Sequence, residues 1–214
     1  KKSNIKIFKH YIYDTDPTKL TQQIEDLTNY KIRKQNLVDE IKRIENSDLE
    51  DKERRIKRLK KRYTIGNVNF DSLVISDFDE SLKSVITSFL YSDVSPKNKY
   101  FITLNQWFDK SLLSENATQP IYFPSINKGN LEKFNSDFET KYNQKPNHLS
   151  LLSYDLLGLI YYLSIKTDFS DINNLFKKEN SFKGKIGIFD VKDNSIHHRL
   201  NFYKIENNKF KEIF

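Results

Sequence analysis

Residues 69–104 read NFDSLVISDFDESLKSVITSFLYSDVSPKNKYFITL, and this stretch decides the fold class. The run Leu73–Ile75 is short, continuous and apolar, which is typical of a buried parallel strand. Tyr100–Leu104 predicts the next strand. Between them lies a helix whose apolar face is formed by Leu82, Val85, Ile86, Phe89 and Leu90. A strand, a helix and a strand in this order predict a parallel sheet with a right-handed crossover.

The same alternation of elements extends outward in both directions. Ile5–Tyr13 alternates and is rich in β-formers, so it predicts a strand, and Asp16 followed by Pro17 predicts a helix start. Downstream we expect a strand at Ile121–Phe123 and helices over residues 131–142, 149–165 and 172–177. The fold class is therefore α/β, a parallel sheet flanked by helices.

The apolar stretch Leu149–Ile165 is interpreted as a buried helix and not as a membrane span. It contains Ser150, Ser153 and Asp155, and it is short for a bilayer. The N-terminal residues 1–8 lack the apolar core of a signal peptide, so we expect any export signal to lie outside this chain.

The end of the chain changes character. Strands at Ile186–Asp190, Arg199–Ile205 and Phe210–Phe214, separated by Asx-rich turns, predict an antiparallel tail. We expect an α/β lobe over 1–126 with a charged helical hairpin inserted at 31–64. A helical segment over 127–181 and a β tail over 182–214, returning to the lobe, complete the expected organisation.

Composition excludes several kinds of chemistry. The chain of 214 residues contains no cysteine, so thiol catalysis, disulfides and Cys-ligated zinc are excluded. It has no glycine-rich phosphate loop and no close His pair on a helix. His197 and His198 are adjacent in a predicted strand and point to opposite faces, so they cannot share a metal ion. Asp77, Asp79 and Glu80 are interpreted as helix-start residues and not as an acid–base group. We expect no enzyme activity, no metal and no cofactor.

The run RRIKRLKKR, Arg54–Arg62, has seven basic residues in nine. One interpretation is a face that binds nucleic acid, lipid head groups or a wall polymer. The other, which the sequence favours, is a solvated helix face paired with the acids just upstream at 48–53. No aromatic residues are interleaved with the run, so no nucleic-acid partner is expected. The candidate partner-binding residues are Arg54, Arg55, Lys57, Arg58, Lys60 and Lys61.

Four stretches carry a resemblance to a known superfamily. They are Asn69–Leu90, Lys99–Leu113, Leu131–Leu163 and the tail with Phe182, Gly184 and Gly187. In this order and spacing they resemble the C-terminal portion of the type I periplasmic-binding-protein-like superfamily, which includes the branched-chain amino-acid-binding proteins. The basic run before the Asn69–Leu90 stretch, and Trp107 after the following strand, are more similar to its penicillin-binding-protein-activator branch.

The resemblance implies a non-enzymatic, periplasmic protein of two lobes, of which this chain is the second. The helices of Leu131–Ile165 would then pack partly on a first lobe. The branch implies regulation of cell-wall synthesis by docking an envelope protein. The alternative is the solute receptor of an ABC transporter, which binds an amino acid or similar small polar molecule by hinge closure. A membrane tether through a preceding segment stays open.

Ligands of open parallel sheets bind at the carboxyl ends of the strands. The candidate ligand-binding residues at those ends are Tyr13, Asp77, Phe78, Asn105, Gln106 and Trp107. By resemblance, Phe78 corresponds to an aromatic residue of amino-acid receptors, and Asn105 lies near their acidic residue. An amide does not supply the charge that a substrate ammonium needs, which favours the regulator. For Phe78 and Trp107, packing at the interface between two lobes is as good an interpretation as contact with a ligand.

Overall fold

The computed structural model describes residues 5–14, 16–166 and 179–214. Its helices are α1 (Pro17–Leu27), α2 (Tyr30–Glu45), α3 (Lys52–Leu59), α4 (Asp79–Tyr91), α5 (Lys128–Tyr142) and α6 (His148–Lys166). Its strands are β1 (Ser72–Ile75), β2 (Tyr100–Thr103), β3 (Ile121–Ser125), β4 (Asn180–Lys183), β5 (Ile188–Lys192), β6 (Ser195–Arg199), β7 (Asn201–Glu206) and β8 (Lys209–Glu212). The helix predicted over 172–177 lies outside the described residues.

Five strands form one sheet in the order β1-β2-β3-β7-β8. Strands β1 and β2 are parallel, with Leu73 opposite Phe101, and β2 and β3 are parallel, with Ile102 opposite Tyr122. Strands β4, β5 and β6 form a separate antiparallel sheet. The predicted α/β class, a mostly parallel sheet flanked by helices, is confirmed.

The chain forms two compact units. The first contains Lys1–Leu104, Ser111–Tyr122 and Ile205–Lys209, and the second contains Asn105–Lys110, Phe123–Lys204 and Phe210–Phe214. The border between them passes within β3, β7 and β8.

In the first unit, local signals position the helices as predicted. The Asp16 carboxylate accepts the backbone N–H of Thr18 at 2.8 Å and caps α1, which begins at Pro17. Helix α4 buries Leu82, Val85, Ile86 and Phe89. The Phe89 ring meets Phe101 of β2 edge-to-face, with the ring centroids 5.7 Å apart. Apolar burial therefore joins α4 to the sheet.

Helices α2 and α3 pack together as the predicted charged hairpin. Leu37 and Ile44 of α2 and Leu59 of α3 are buried in one cluster. The base of the hairpin is held by the buried Arg33 guanidinium, which donates to Ser92 O at 3.1 Å and to Thr64 Oγ1 at 2.7 Å. Burial lowers the pKa of Arg33, and the negative charge of Asp93 opposes this shift.

In the second unit, α5 and α6 bury separate clusters. Leu131 and Phe134 of α5 pack with Leu151 of α6, Ile126 and Ile186. Further along α6, Leu159 and Leu163 pack with Val191 of β5. The two clusters join the helices to the antiparallel tail.

The expected strand at Ile5–Tyr13 is wrong. The segment has no regular structure, and Ile5 is 81% exposed. A strand needs a partner, and none of the described strands pairs with this segment. The prediction of a buried parallel strand at Leu73–Ile75 was partly right, because β1 forms there and is parallel to β2. It lies at the end of the strand order, however, and Val74 is 70% exposed instead of buried.

The interpretation of the 149–165 stretch as a buried helix is also wrong for this chain. Helix α6 forms, but one side alone is covered, and the exposed large apolar residues are Leu149, Leu152, Tyr154, Leu156, Leu157, Ile160, Tyr161 and Ile165. By length and composition, His148–Ile165 is apolar enough to cross a membrane, and 22% of this window is buried. Core helices of soluble proteins pass the same test, so the finding is weak evidence for a span.

The antiparallel tail is present with a different division. The Asp193-Asn194 and Asn207-Asn208 turns form as predicted, and all four residues have positive φ. The predicted strand Arg199–Ile205 is divided between two sheets, because β6 ends at Arg199 and β7 begins at Asn201.

Candidate functional site

The turn that follows β2 has an unusual backbone. Trp107 and Phe108 have φ values of 50° and 58°, in the left-handed region that bulky side chains rarely adopt. The Asn105 side chain supports this turn, since its Oδ1 accepts the backbone N–H of Trp107 at 2.9 Å. The same oxygen accepts the Ser125 hydroxyl at 2.7 Å. Such a conformation persists only where its surroundings hold it, and these positions are often functional.

Phe108 anchors the turn in the core of the second unit. Its ring meets Phe123, Tyr203 and Phe210 edge-to-face, with ring centroids 5.7, 4.8 and 5.4 Å away. With Phe108 fixed in this way, the turn carries Trp107 at a fixed position.

Trp107 forms an aromatic platform with His148. The indole stacks on the imidazole, with the ring centroids 4.5 Å apart and the planes 13° from parallel. Trp107 is half-buried against the cluster of Leu131 and Leu151, whereas His148, the first residue of α6, is exposed. Flat rings of this kind bind planar or apolar parts of a ligand.

The polar groups beside the platform are mostly engaged within the protein. Gln106 is 4% exposed. The Asn105 Oδ1 has two donors, so the group that Asn105 can still offer is its Nδ2 amide. An amide N–H binds a carbonyl or carboxylate oxygen and does not bind an ammonium group. Three of the predicted residues, Asn105, Gln106 and Trp107, are thus brought together in the second unit.

The other three predicted residues meet in the first unit. The Tyr13 hydroxyl donates a hydrogen bond to the Asp77 carboxylate, whose Oδ1 also accepts the Phe78 backbone N–H at 2.8 Å. Phe78 is 42% exposed and precedes α4. The Tyr13 phenol and the Asp77 carboxylate therefore bind each other. The six predicted ligand-binding residues are thus divided, three in each unit.

The six predicted partner-binding residues are all exposed on or just after α3. Arg54 and Arg55 pair with Asp51, and the Arg55 hydrogen bond lowers the pKa of that carboxyl. Lys57, Arg58, Lys60 and Lys61 form no ion pair with any described residue. The expected pairing with upstream acids therefore neutralises only the first turn of α3.

Sequence reasoning missed the parts of the platform that are distant along the chain. His148 and Ser125 were not recognised as neighbours of Trp107, because no periodicity links them to the β2 turn. Over the described residues, no three His, Asp or Glu side chains are grouped so that they could hold a metal ion.

No protein-family model and no curated protein matches this sequence. Among solved structures, the leucine binding protein LivK of Thermotoga maritima MSB8 has a TM-score of 0.48 and 15% identity, over 68% of this chain and 44% of that chain. An extracellular ligand binding receptor from Desulfohalobium retbaense DSM5692 has a TM-score of 0.48 and 17% identity, over 78% of this chain and 29% of that chain. The chain spans less than half of the length of each.

Proposed function

We propose that this chain is a non-enzymatic binding domain of the bacterial envelope that docks a partner protein, in the manner of the penicillin-binding-protein-activator branch it resembles. The observation that carries this choice is the state of Asn105. Its side-chain oxygen is occupied by Ser125 and by the Trp107 backbone, so it is not available to a substrate ammonium. An amino-acid receptor needs an acceptor there.

The exposed side of α6 supports a role in docking. Apolar side chains such as Leu157 and Tyr161, both more than half exposed, favour contact with another protein surface over contact with water. In this proposal the partner protein covers this side of α6. The assembled protein would then regulate cell-wall synthesis from the periplasm.

A second function, that of a solute receptor, is favoured by the platform of Trp107 and His148. The stacked rings and the free Asn105 amide suit a small solute with a flat or apolar part and an oxygen acceptor. Such a solute would bind by hinge closure, which shifts an equilibrium between open and closed conformations that already exists in the free protein.

Trp107 provides the experiment, because it is the sole tryptophan of the chain. Its emission would be followed while amino acids, small carboxylates and muropeptides are added, with thermal unfolding measured in parallel. A ligand at about a hundred times its dissociation constant stabilises the native state by about 2.7 kcal/mol. A shared change in emission and melting temperature for one free amino acid or carboxylate would replace the docking proposal with the receptor.

The control variant for the solute titrations is Tyr91→Phe, which changes an exposed aromatic residue in the first unit and leaves Trp107 unchanged. We expect no solute in the panel to change the Trp107 emission or the melting temperature of the native chain or of this control.

The second experiment measures capture of a partner from a defined set of purified envelope proteins. Docking would be supported if one penicillin-binding protein is captured and if the combined variant Leu157→Lys with Tyr161→Lys loses that capture. Failure to capture any of that set would contradict it.

A further inference from the structure

The excess positive charge of the protein is concentrated on one short helix. The whole chain has a net charge of +7, and residues 51–62 contain eight Lys or Arg and two Asp or Glu, a net charge of +6. The rest of the chain is therefore nearly neutral. A charge that merely kept the protein soluble would be spread over its surface, so the concentration on α3 calls for a specific explanation.

The bases of α3 form one straight stripe. Arg54, Lys57, Arg58 and Lys61 follow the spacing i, i+3, i+4, i+7, which places them along one side of a helix. Lys61 lies in the turn that follows α3, and Lys60 before it keeps helical φ and ψ angles. The stripe faces away from α2, because Leu59 and Ile56 on the opposite side pack against that helix.

The side chains of this stripe are free to bind an external anion. All four are exposed. Of the four, only Arg54 is paired among the described residues, at 3.5 Å from Asp51 with 86% of its own side chain exposed. Such an exposed pair contributes little and is readily exchanged.

We propose that α3 is a docking surface for an anionic lipid bilayer, held there by electrostatic attraction without insertion. A flat surface can meet all members of a straight stripe at once, and basic clusters of this size bind acidic lipid. The two apolar residues of α3 pack within the hairpin, Leu59 buried and Ile56 partly buried, so neither is free to enter the hydrocarbon. Tyr63, exposed just after the run, has the amphipathic ring that suits the head-group region.

Other polyanionic partners fit these residues less well. A protein interface needs an apolar or aromatic centre and is depleted in lysine, whereas the outer side of α3 is entirely charged. A nucleic-acid surface gains from aromatic residues between the bases, and residues 52–62 contain none. The inference concerns α3 alone and does not depend on the proposed function.

The test is flotation of the full chain with vesicles. Phosphatidylcholine vesicles with about 30% phosphatidylglycerol should bind the chain at roughly 50 mM salt and release it at roughly 500 mM, because the attraction is screened. Pure phosphatidylcholine should not bind it. Each base near the surface contributes about fivefold to partitioning, so the combined variant Arg54→Gln, Lys57→Gln, Arg58→Gln and Lys61→Gln should bind several hundred-fold more weakly.

Two control variants separate the stripe from net charge and from geometry. Lys97→Gln, Lys133→Gln, Lys145→Gln and Lys209→Gln remove the same charge from other exposed positions and should retain binding within a few-fold. Arg54→Lys with Arg58→Lys keeps the charge and should also retain it. Equal losses in both Gln variants, unchanged binding in the stripe variant, or tighter binding to a short DNA duplex than to the vesicles would overturn the proposal.

Discussion

The buried carboxylate of Asp155 accepts the backbone N–H of Ile186 at 2.9 Å. Its second oxygen accepts the N–H of Lys185 at 2.7 Å, and the side chain is 2% exposed. This residue of α6 therefore holds the turn that begins the antiparallel tail. The tail also closes on itself there, since the Gly184 N–H donates to Gly187 O at 2.8 Å.

Asp155→Asn should destabilise the second unit. The amide keeps one acceptor oxygen but directs N–H donors at one of the two backbone N–H groups, which is then left buried without an acceptor. The expected cost is about 1–3 kcal/mol. Urea unfolding followed by Trp107 fluorescence measures it. Asp137→Asn, on the exposed side of α5, should change stability by less than about 0.5 kcal/mol. Similar values for both variants would mean that the Asp155 hydrogen bonds contribute nothing.

Gly184→Ala should be more harmful than an ordinary surface substitution. A Cβ at Gly184 would overlap the Asp155 carboxylate, which cannot move without losing both of its backbone partners. We expect a loss of at least about 2 kcal/mol. Gly129→Ala, in the first turn of α5, meets only ordinary contact with Asn127 and should stabilise by up to about 1 kcal/mol. A neutral Gly184→Ala would show that the turn has another low-energy arrangement.

The sequence predicted the elements whose signal is local. Helix α4 was predicted from the spacing of its apolar residues, and strand β1 was predicted from a short, continuous apolar run. The alternation of Ile5–Tyr13 is also a local signal, but a strand also needs a partner, and that partner is not encoded within the segment. The number of apolar residues in α6 predicted its length, whereas the side that finds cover depends on distant residues such as Val191.

The same distinction applies to the candidate site. Asn105 and Trp107 were predicted because the ends of adjacent parallel strands meet at one edge of a sheet. The Asn105–Ser125 and Trp107–His148 contacts join positions 20 or more residues apart, which spacing does not reveal. The Ser125 contact is also what determines which group Asn105 can offer to a ligand.

The imidazole of His198 should make stability depend on pH. Burial lowers the pKa of His198 below its ordinary value, and the negative charge of Asp155 opposes this only in part. The ring is stacked on Phe189, and its Nε2 is buried without a partner among the described residues. A lowered folded-state pKa means that the unfolded chain takes up the proton first as the pH falls. Stability is therefore complete above about 6.5, the unfolded value, and decreases below it.

Urea unfolding between about pH 7.5 and pH 5 tests this expectation. His198→Gln should flatten the decrease across that window, because glutamine does not titrate. His197→Gln, an exposed change at the neighbouring position, should leave the decrease in place. A decrease of equal slope in all three proteins would assign the effect to other groups.

Truncation of a side chain should destabilise this chain much more on the covered side of α6 than on the exposed side. Leu159 is 2% exposed and packs with Leu163 and Val191, so Leu159→Ala should cost about 2–5 kcal/mol through lost burial and a cavity. Leu157 lies two residues earlier and is 67% exposed. Leu157→Ala should therefore lower the free energy of unfolding by less than about 0.5 kcal/mol. Thermal unfolding of both variants at two protein concentrations separates the possibilities. A large, concentration-dependent cost for Leu157→Ala would mean that copies of the chain already cover this side of α6. A small cost at both concentrations leaves that side available for a different protein surface.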